Sequence, residues 1–164
     1  MTVKLAVISA NAAAQRCISE GCCREQRQDW LGAIEQYRRA LALDAADPRV
    51  RYFGHNNLAY SLLQLGRFAE AEPHCVSAIE INGDQYNAHK NLGLALQGLG
   101  RMKDAAICLL NAARLAPGNT RAWLHLQKLL QEHPTLPEQF RDVAAGVAEV
   151  RAYYEANGGV PALN

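Results

Sequence analysis

No stretch of this chain approaches the roughly 20 consecutive apolar residues that a helix needs to cross a bilayer, so no membrane association is expected. Charge of either sign is not in excess: 17 Lys and Arg against 16 Asp and Glu leave a formal net charge of +1. A field that weak draws neither nucleic acid nor an anionic lipid surface. The chain also lacks a glycine-rich phosphate loop, a nucleophile elbow, an HExxH pattern and a CxxC pair. Catalysis needs a nucleophile, a base and an orienting group to converge, and no such set is visible; no catalytic residue, cofactor or metal is therefore expected.

Cysteine is present but not in a framework. Cys17, Cys22, Cys23, Cys75 and Cys108 are odd in number and scattered through apolar, helix-like segments. On a helix, Cys17 and Cys22 are separated by about 500° of rotation and point to different sides. They read as small core filler, the alternative being a reactive or cross-linking thiol at Cys22 or Cys23. A reducing cytoplasm suits this usage. The opening MTVKLAVISANAAA has one lysine, a short apolar run from Leu5 to Ala10 and small residues. It reads as an N-terminal extension over 1–13, with a secretory signal as the alternative.

What is there is a sentence written twice. HNNLAYSLLQLGRFAEA, His55 to Ala71, returns 34 residues later as HKNLGLALQGLGRMKDA, His89 to Ala105. Leu58, Leu62 and Leu65 with His55 and Ala59 form a stripe at helical spacing; Leu92, Leu96 and Leu99 with His89 and Gly93 repeat it. Gly66 and Gly100 end these helices where a C-cap needs positive φ. A second helix follows each, carrying Ala71, Cys75, Ala78 and Ile79 in one copy and Ala105, Leu109, Ala112 and Ala113 in the other.

A 34-residue helix-turn-helix unit with Leu92-Gly93, Gly100, Ala105, Leu109, Ala112 and Pro117 in register resembles the tetratricopeptide repeat. Repeats are expected over 52–85 and 86–119, with Gly83 where the first would have its proline. An earlier copy over 14–47 places Gly21, Ala33, Tyr37, Ala40 and Leu41 at matching offsets. Ala33 to Ala71 is 38 residues, so about four extra residues near Pro48–Arg51 lengthen either the linker or the next helix. A degenerate fourth copy opens at Thr120 with Trp123, Leu126 and Leu130, completing a repeat region of 14–133. EHPTLPEQF then interrupts, and a capping helix is expected over 134–157, with Thr135 and Glu138 as a capping box, Phe140, Val143, Val147, Val150 and Tyr154 as its apolar stripe, and Gly158-Gly159 as its stop before a tail at 158–164. The implied fold class is all-α, a right-handed α-α superhelix.

The resemblance implies a groove that holds an extended peptide or a partner's helix. Opposite the leucine stripes lie Phe53, Asn56, Asn57, Tyr60 and Gln64, then Asn87, Lys90, Asn91, Leu94 and Gln97, then Arg121, Leu124, His125 and Lys128. Asn57 and Asn91 take equivalent places, and amides that both donate and accept suit a peptide backbone; packing is the other use for an asparagine there. Lys90, Arg121, Lys128 and a protonated His125, with no acid on that face, favour a partner with an acidic segment.

Some family members clamp a chaperone tail's carboxylates with lysine and asparagine, then asparagine, then two basic residues. Here only Asn57 matches, with Ile18 and Cys22 at the first pair and Asn87 and Asn91 at the last. Starting one repeat later, Asn91, Arg121 and His125 fit, but Asn56 and Tyr60 replace the opening pair. The expectation is a non-catalytic protein-interaction module, an adaptor or assembly factor; the rival is a self-assembling scaffold or homodimer joined through the terminal helices and Tyr153-Tyr154.

Overall fold

The computed structural model describes the backbone of residues 2–158 and the side chains of residues 7–158. Its helices are α1 (Thr2–Gln26), α2 (Trp30–Ala42), α3 (Pro48–Gln64), α4 (Phe68–Ile81), α5 (Tyr86–Gly98), α6 (Met102–Leu115), α7 (Arg121–Glu132), α8 (Leu136–Gln139) and α9 (Arg141–Ala156). No strand occurs among the described residues. Gly159 and the tail beyond it lie outside them.

The chain divides into two compact units, Met1–Gly83 and Asp84–Asn164. In the first, α1 packs on α2, α2 on α3 and α3 on α4. Helix α1 runs unbroken through positions 13 and 14, so the segment read as an extension continues the first repeat helix. Local chemistry sets the other starts. Asp29 caps α2 by accepting from Gly32 N, and Asp47 caps α3 by accepting from Arg49 N. Pro48 occupies the first turn of α3, where its missing N–H costs nothing. The four extra residues lengthen this helix: α3 has 17 residues where its counterpart α5 has 13.

Gly66 and Gly100 end α3 and α5 with φ +69° and +79°. Gly66 N bonds Leu63 O while Arg67 N reaches Leu62 O, and Gly100 with Arg101 repeats the pattern on Gln97 and Leu96. This paired closure satisfies two orphan carbonyls at each helix end. Leu65 and Leu99, expected in the packed stripes, are the C-cap residues at these turns and stand exposed. Leu58, Leu62 and Leu96 are buried as expected.

In the second unit α5 pairs with α6, α7 packs on α6, and α9 lies against α6 and α8. Leu109, Leu110, Trp123, Leu126, Leu129, Val143, Val147 and Val150 share one core. The helix expected over 134–157 is divided: Phe140, at φ −131° and ψ 105°, separates the single turn α8 from α9. The Thr135–Glu138 capping box does not form. Thr135 is already helical at ψ −8°, which turns its hydroxyl away from the N-cap role; the oxygen accepts from Gln139 Nε2 instead. Phe140 packs beside the core under the Lys103 ammonium, 4.8 Å from the ring centroid.

Candidate functional site

On the first unit the candidate residues occupy α3. Phe53 is half exposed, its ring edge-on to Tyr52 at 5.4 Å. Tyr60 stands edge-on to Trp30 of α2, with centroids 6.0 Å apart. Asn56, expected at the surface, is buried, and its Nδ2 donates to Asn57 Oδ1 at 3.0 Å. Asn57 Nδ2 in turn points at Cys22 Sγ across 3.5 Å. These amides therefore link α3 to α1, since a donor taken from water into a helix interface must find a partner there.

Sequence reasoning missed the rest of this junction. Tyr37, wholly buried, donates its hydroxyl to Cys22 Sγ, and Ser61 donates to Glu25 Oε1 at 2.7 Å. Burial pushes the Glu25 carboxyl above its ordinary range, opposed by hydrogen bonds from Ser61 and Tyr37. The available signal was spacing: Cys22 and Glu25 lie three apart on α1, facing Asn57 and Ser61 four apart on α3. Cys22 is thus a half-buried polar partner. Of the cysteines read as core filler only Cys75 is fully buried, while Cys23 is exposed.

On the second unit the candidate face is carried by α5 and α7. Asn119 anchors it, donating to the Tyr86 hydroxyl at 2.7 Å while accepting from Arg121 N, which ties the start of α7 to the start of α5. Lys90 then lies within the field of Arg121, and His125 within those of Lys90 and Lys128. Burial and Arg121 hold the Lys90 ammonium below its ordinary range. Burial, then Lys90 and Lys128, likewise lower the His125 imidazole from its ordinary range, which works against its expected protonation. Arg121 and Lys128 are exposed, while Leu94, Leu124 and Asn87 are half buried.

Two expectations for this face fail. An acid does sit there: Glu132 lies 3.9 Å from Lys128 Nζ and accepts from Gln97 Nε2 at 3.2 Å, because i,i+4 spacing on α7 brings Glu132 beside Lys128. Asn91 is buried at 2% exposure, out of a ligand's reach in this conformation. Asn57 and Asn91 also fall in different units. Tyr153 is exposed, but Tyr154 turns inward against Trp123, so the tyrosine pair is not jointly presented.

Comparison with known proteins agrees with the helix-hairpin geometry. The family model for the tetratricopeptide repeat matches residues 54–85. The TPR domain of Arabidopsis OM64 superposes with a TM-score of 0.68 at 26% identity, covering 75% of this chain and 98% of that one. The second TPR domain of human RPAP3, solved in complex with the HSP70 peptide SGPTIEEVD, gives 0.63 at 26% identity, over 75% and 97% of the two chains. Mouse sperm-associated antigen 1 is 27% identical over 99 residues, which is 60% of this chain; that match spans a tenth of the relative's length. The chain thus carries a tetratricopeptide-repeat match over residues 54–85 and shares the all-α helix-hairpin fold of these TPR domains. Among the described residues no helix is long and apolar enough to cross a membrane.

Proposed function

We propose that this chain is a non-catalytic peptide-binding adaptor whose second unit selects an acidic segment of a partner protein. The observation that carries the reading is the cluster on α5 and α7, where burial first, and then Arg121 on Lys90 and Lys90 with Lys128 on His125, lower the titration of Lys90 and His125. Cations held in mutual repulsion gain from an incoming anion, which relieves that repulsion and adds charge-assisted hydrogen bonds. The RPAP3 domain supports the class of ligand, since the peptide bound to it, SGPTIEEVD, carries two glutamates and an aspartate. The clamp residues of tail-binding relatives are mostly replaced here, so the acidic partner segment is not assigned to a chaperone tail. Leu94 and Leu124 supply apolar contact beside the charges, and on the first unit Phe53 and Tyr60 offer aromatic edges. Self-association through Tyr153-Tyr154 loses support from the inward turn of Tyr154. A reducing cytoplasm is proposed with it, on the five free thiols.

The test is fluorescence anisotropy with an acidic nonapeptide and its Gln/Asn counterpart. Binding of the acidic peptide alone, weakened about tenfold by Arg121→Glu and again by Lys128→Glu, supports the reading at about 1.4 kcal/mol for each tenfold step. Equal binding of both peptides, or an Arg121→Glu/Lys128→Glu protein that binds as well as wild type, overturns it.

A further inference from the structure

His55 of α3 and His74 of α4 meet ring to ring at half-buried positions, with Nδ1 atoms 3.1 Å apart, ring centroids 5.3 Å apart and planes inclined by 36°. The sequence suggests no more than filler for His55 and gives no reason to pair it with His74. As it stands the contact is one N–H···N hydrogen bond: one ring carries its proton on Nδ1 and the other on Nε2. We propose that this pair is also a bidentate site for a divalent transition-metal ion of the imidazole-binding class, such as Ni²⁺, Zn²⁺ or Cu²⁺.

The spacing is the argument. Imidazole nitrogens bind such ions at about 2.0–2.1 Å, so two of them on one ion stand about 2.9 Å apart at a right angle and about 3.3–3.4 Å apart at the tetrahedral angle. The observed 3.1 Å lies between these values, so the helices already hold the two donors at the required bite. A turn about χ2, a broad torsion for histidine, swings the lone pairs off their shared axis toward one point. The proton balance is simple: the Nδ1 proton of the donor ring moves to its Nε2, both rings stay neutral, and no proton is released. Burial favours the neutral form of both rings, which is the ligating form.

The surroundings set the strength. Arg51 acts on His55 and Arg38 on His74, and both oppose a dication. Glu70, one turn before His74 on α4, favours one, though it is held by Arg67 at 2.6 Å and Arg38 at 3.4 Å. Among the described residues no group of three or more His, Cys, Asp and Glu side chains is assembled to hold a metal. Solvent therefore completes the coordination, and the ion exchanges readily.

Equilibrium dialysis against Ni²⁺ on the full chain, with thermal unfolding beside it, tests the site. The expected result is one Ni²⁺ per chain, a Tm rise of about 3–6 °C near ten times the dissociation constant, and reversal by EDTA. Both effects are lost in His55→Gln and in His74→Gln and kept in His89→Gln. Selective paramagnetic broadening of the His55 and His74 ring signals in the wild type reads the same site without a substitution. Absence of Ni²⁺ binding overturns the proposal, as does binding that persists in both variants or broadening that spares these rings.

Discussion

The ring of Tyr37 fills the space that a side chain at Gly21 would need: a Cβ there would lie 2.5 Å from Tyr37 Cε1. The second unit repeats the device, with a Cβ at Gly93 meeting Leu109 Cγ at 2.8 Å and the Ala105 carbonyl oxygen at 3.2 Å. The two helices of each hairpin approach this closely because one of them carries no side chain at the crossing.

Gly93→Ala should therefore cost about 1–3 kcal/mol, since part of the obstruction is backbone and cannot swing away. Urea unfolding would measure it. A loss under about 0.5 kcal/mol would mean that the α5–α6 pair relaxes more easily than its contacts imply.

Gln28 ends α1 at φ +59°, the conformation that Gly66 and Gly100 supply in the later turns. Its N–H bonds Glu25 O while Asp29 N bonds Arg24 O, the same closure with a residue poorly suited to it. Gln28→Gly should stabilise the fold by about 0.5–1 kcal/mol by removing left-handed strain, against a partly offsetting entropy cost. A lower Tm for this variant would show that the Gln28 side chain contributes more than the strain takes away.

Acid should weaken the first unit through His55. Burial, then His74 and Arg51, bring its imidazole down to about 4 from an ordinary 6.5. The unfolded chain takes up this proton first as pH falls, so the contribution is fully present above about 6.5 and is lost toward 4. His74 is lowered too and acts in the same sense. Chemical denaturation at a series of pH values should show His55→Gln losing less stability than wild type between pH 7 and 4.5; parallel curves would contradict this.

Tyr154 buries its hydroxyl without a hydrogen-bond partner among the described residues, and Trp123 does the same with its indole N–H. Tyr154→Phe deletes a desolvated oxygen while keeping the ring against Trp123, 5.7 Å away between centroids. Stability should hold within about 0.5 kcal/mol or rise. A loss of 1 kcal/mol or more would point to a buried water bridging the two groups.

On the second unit, affinity for an acidic peptide should fall as salt rises, since Arg121 and Lys128 are exposed cations screened over about 10 Å at 0.1 M ionic strength. The slope of log affinity against log salt should shrink in Arg121→Glu. A salt-independent affinity would assign binding to the apolar residues instead.

Much of the hairpin plan was legible because it is written in local terms. Leucine spacing marks which side of a helix is buried, and Gly66 and Gly100 mark turns that need positive φ. The turn at Gln28 was less legible, since an ordinary side chain there hides a left-handed backbone. Thr135 misled for the opposite reason, a capping pattern without the extended N-cap backbone that would aim its hydroxyl at α8. At the candidate site, helical spacing picked out the cations of α5 and α7 but missed Glu132 one turn beyond Lys128, and it could not show Asn56 and Asn91 to be buried.

The sequence by itself determined that this chain repeats a 34-residue helical hairpin, because periodicity, glycine stops and small residues act between near neighbours along one chain. Only the tertiary structure decided what each polar side chain does. It joined Asn57, Tyr37 and Cys22, set Ser61 on Glu25, and brought His55 against His74. Those partners come from different helices, and the balance between desolvation and a hydrogen bond is fixed only when two helices close on each other.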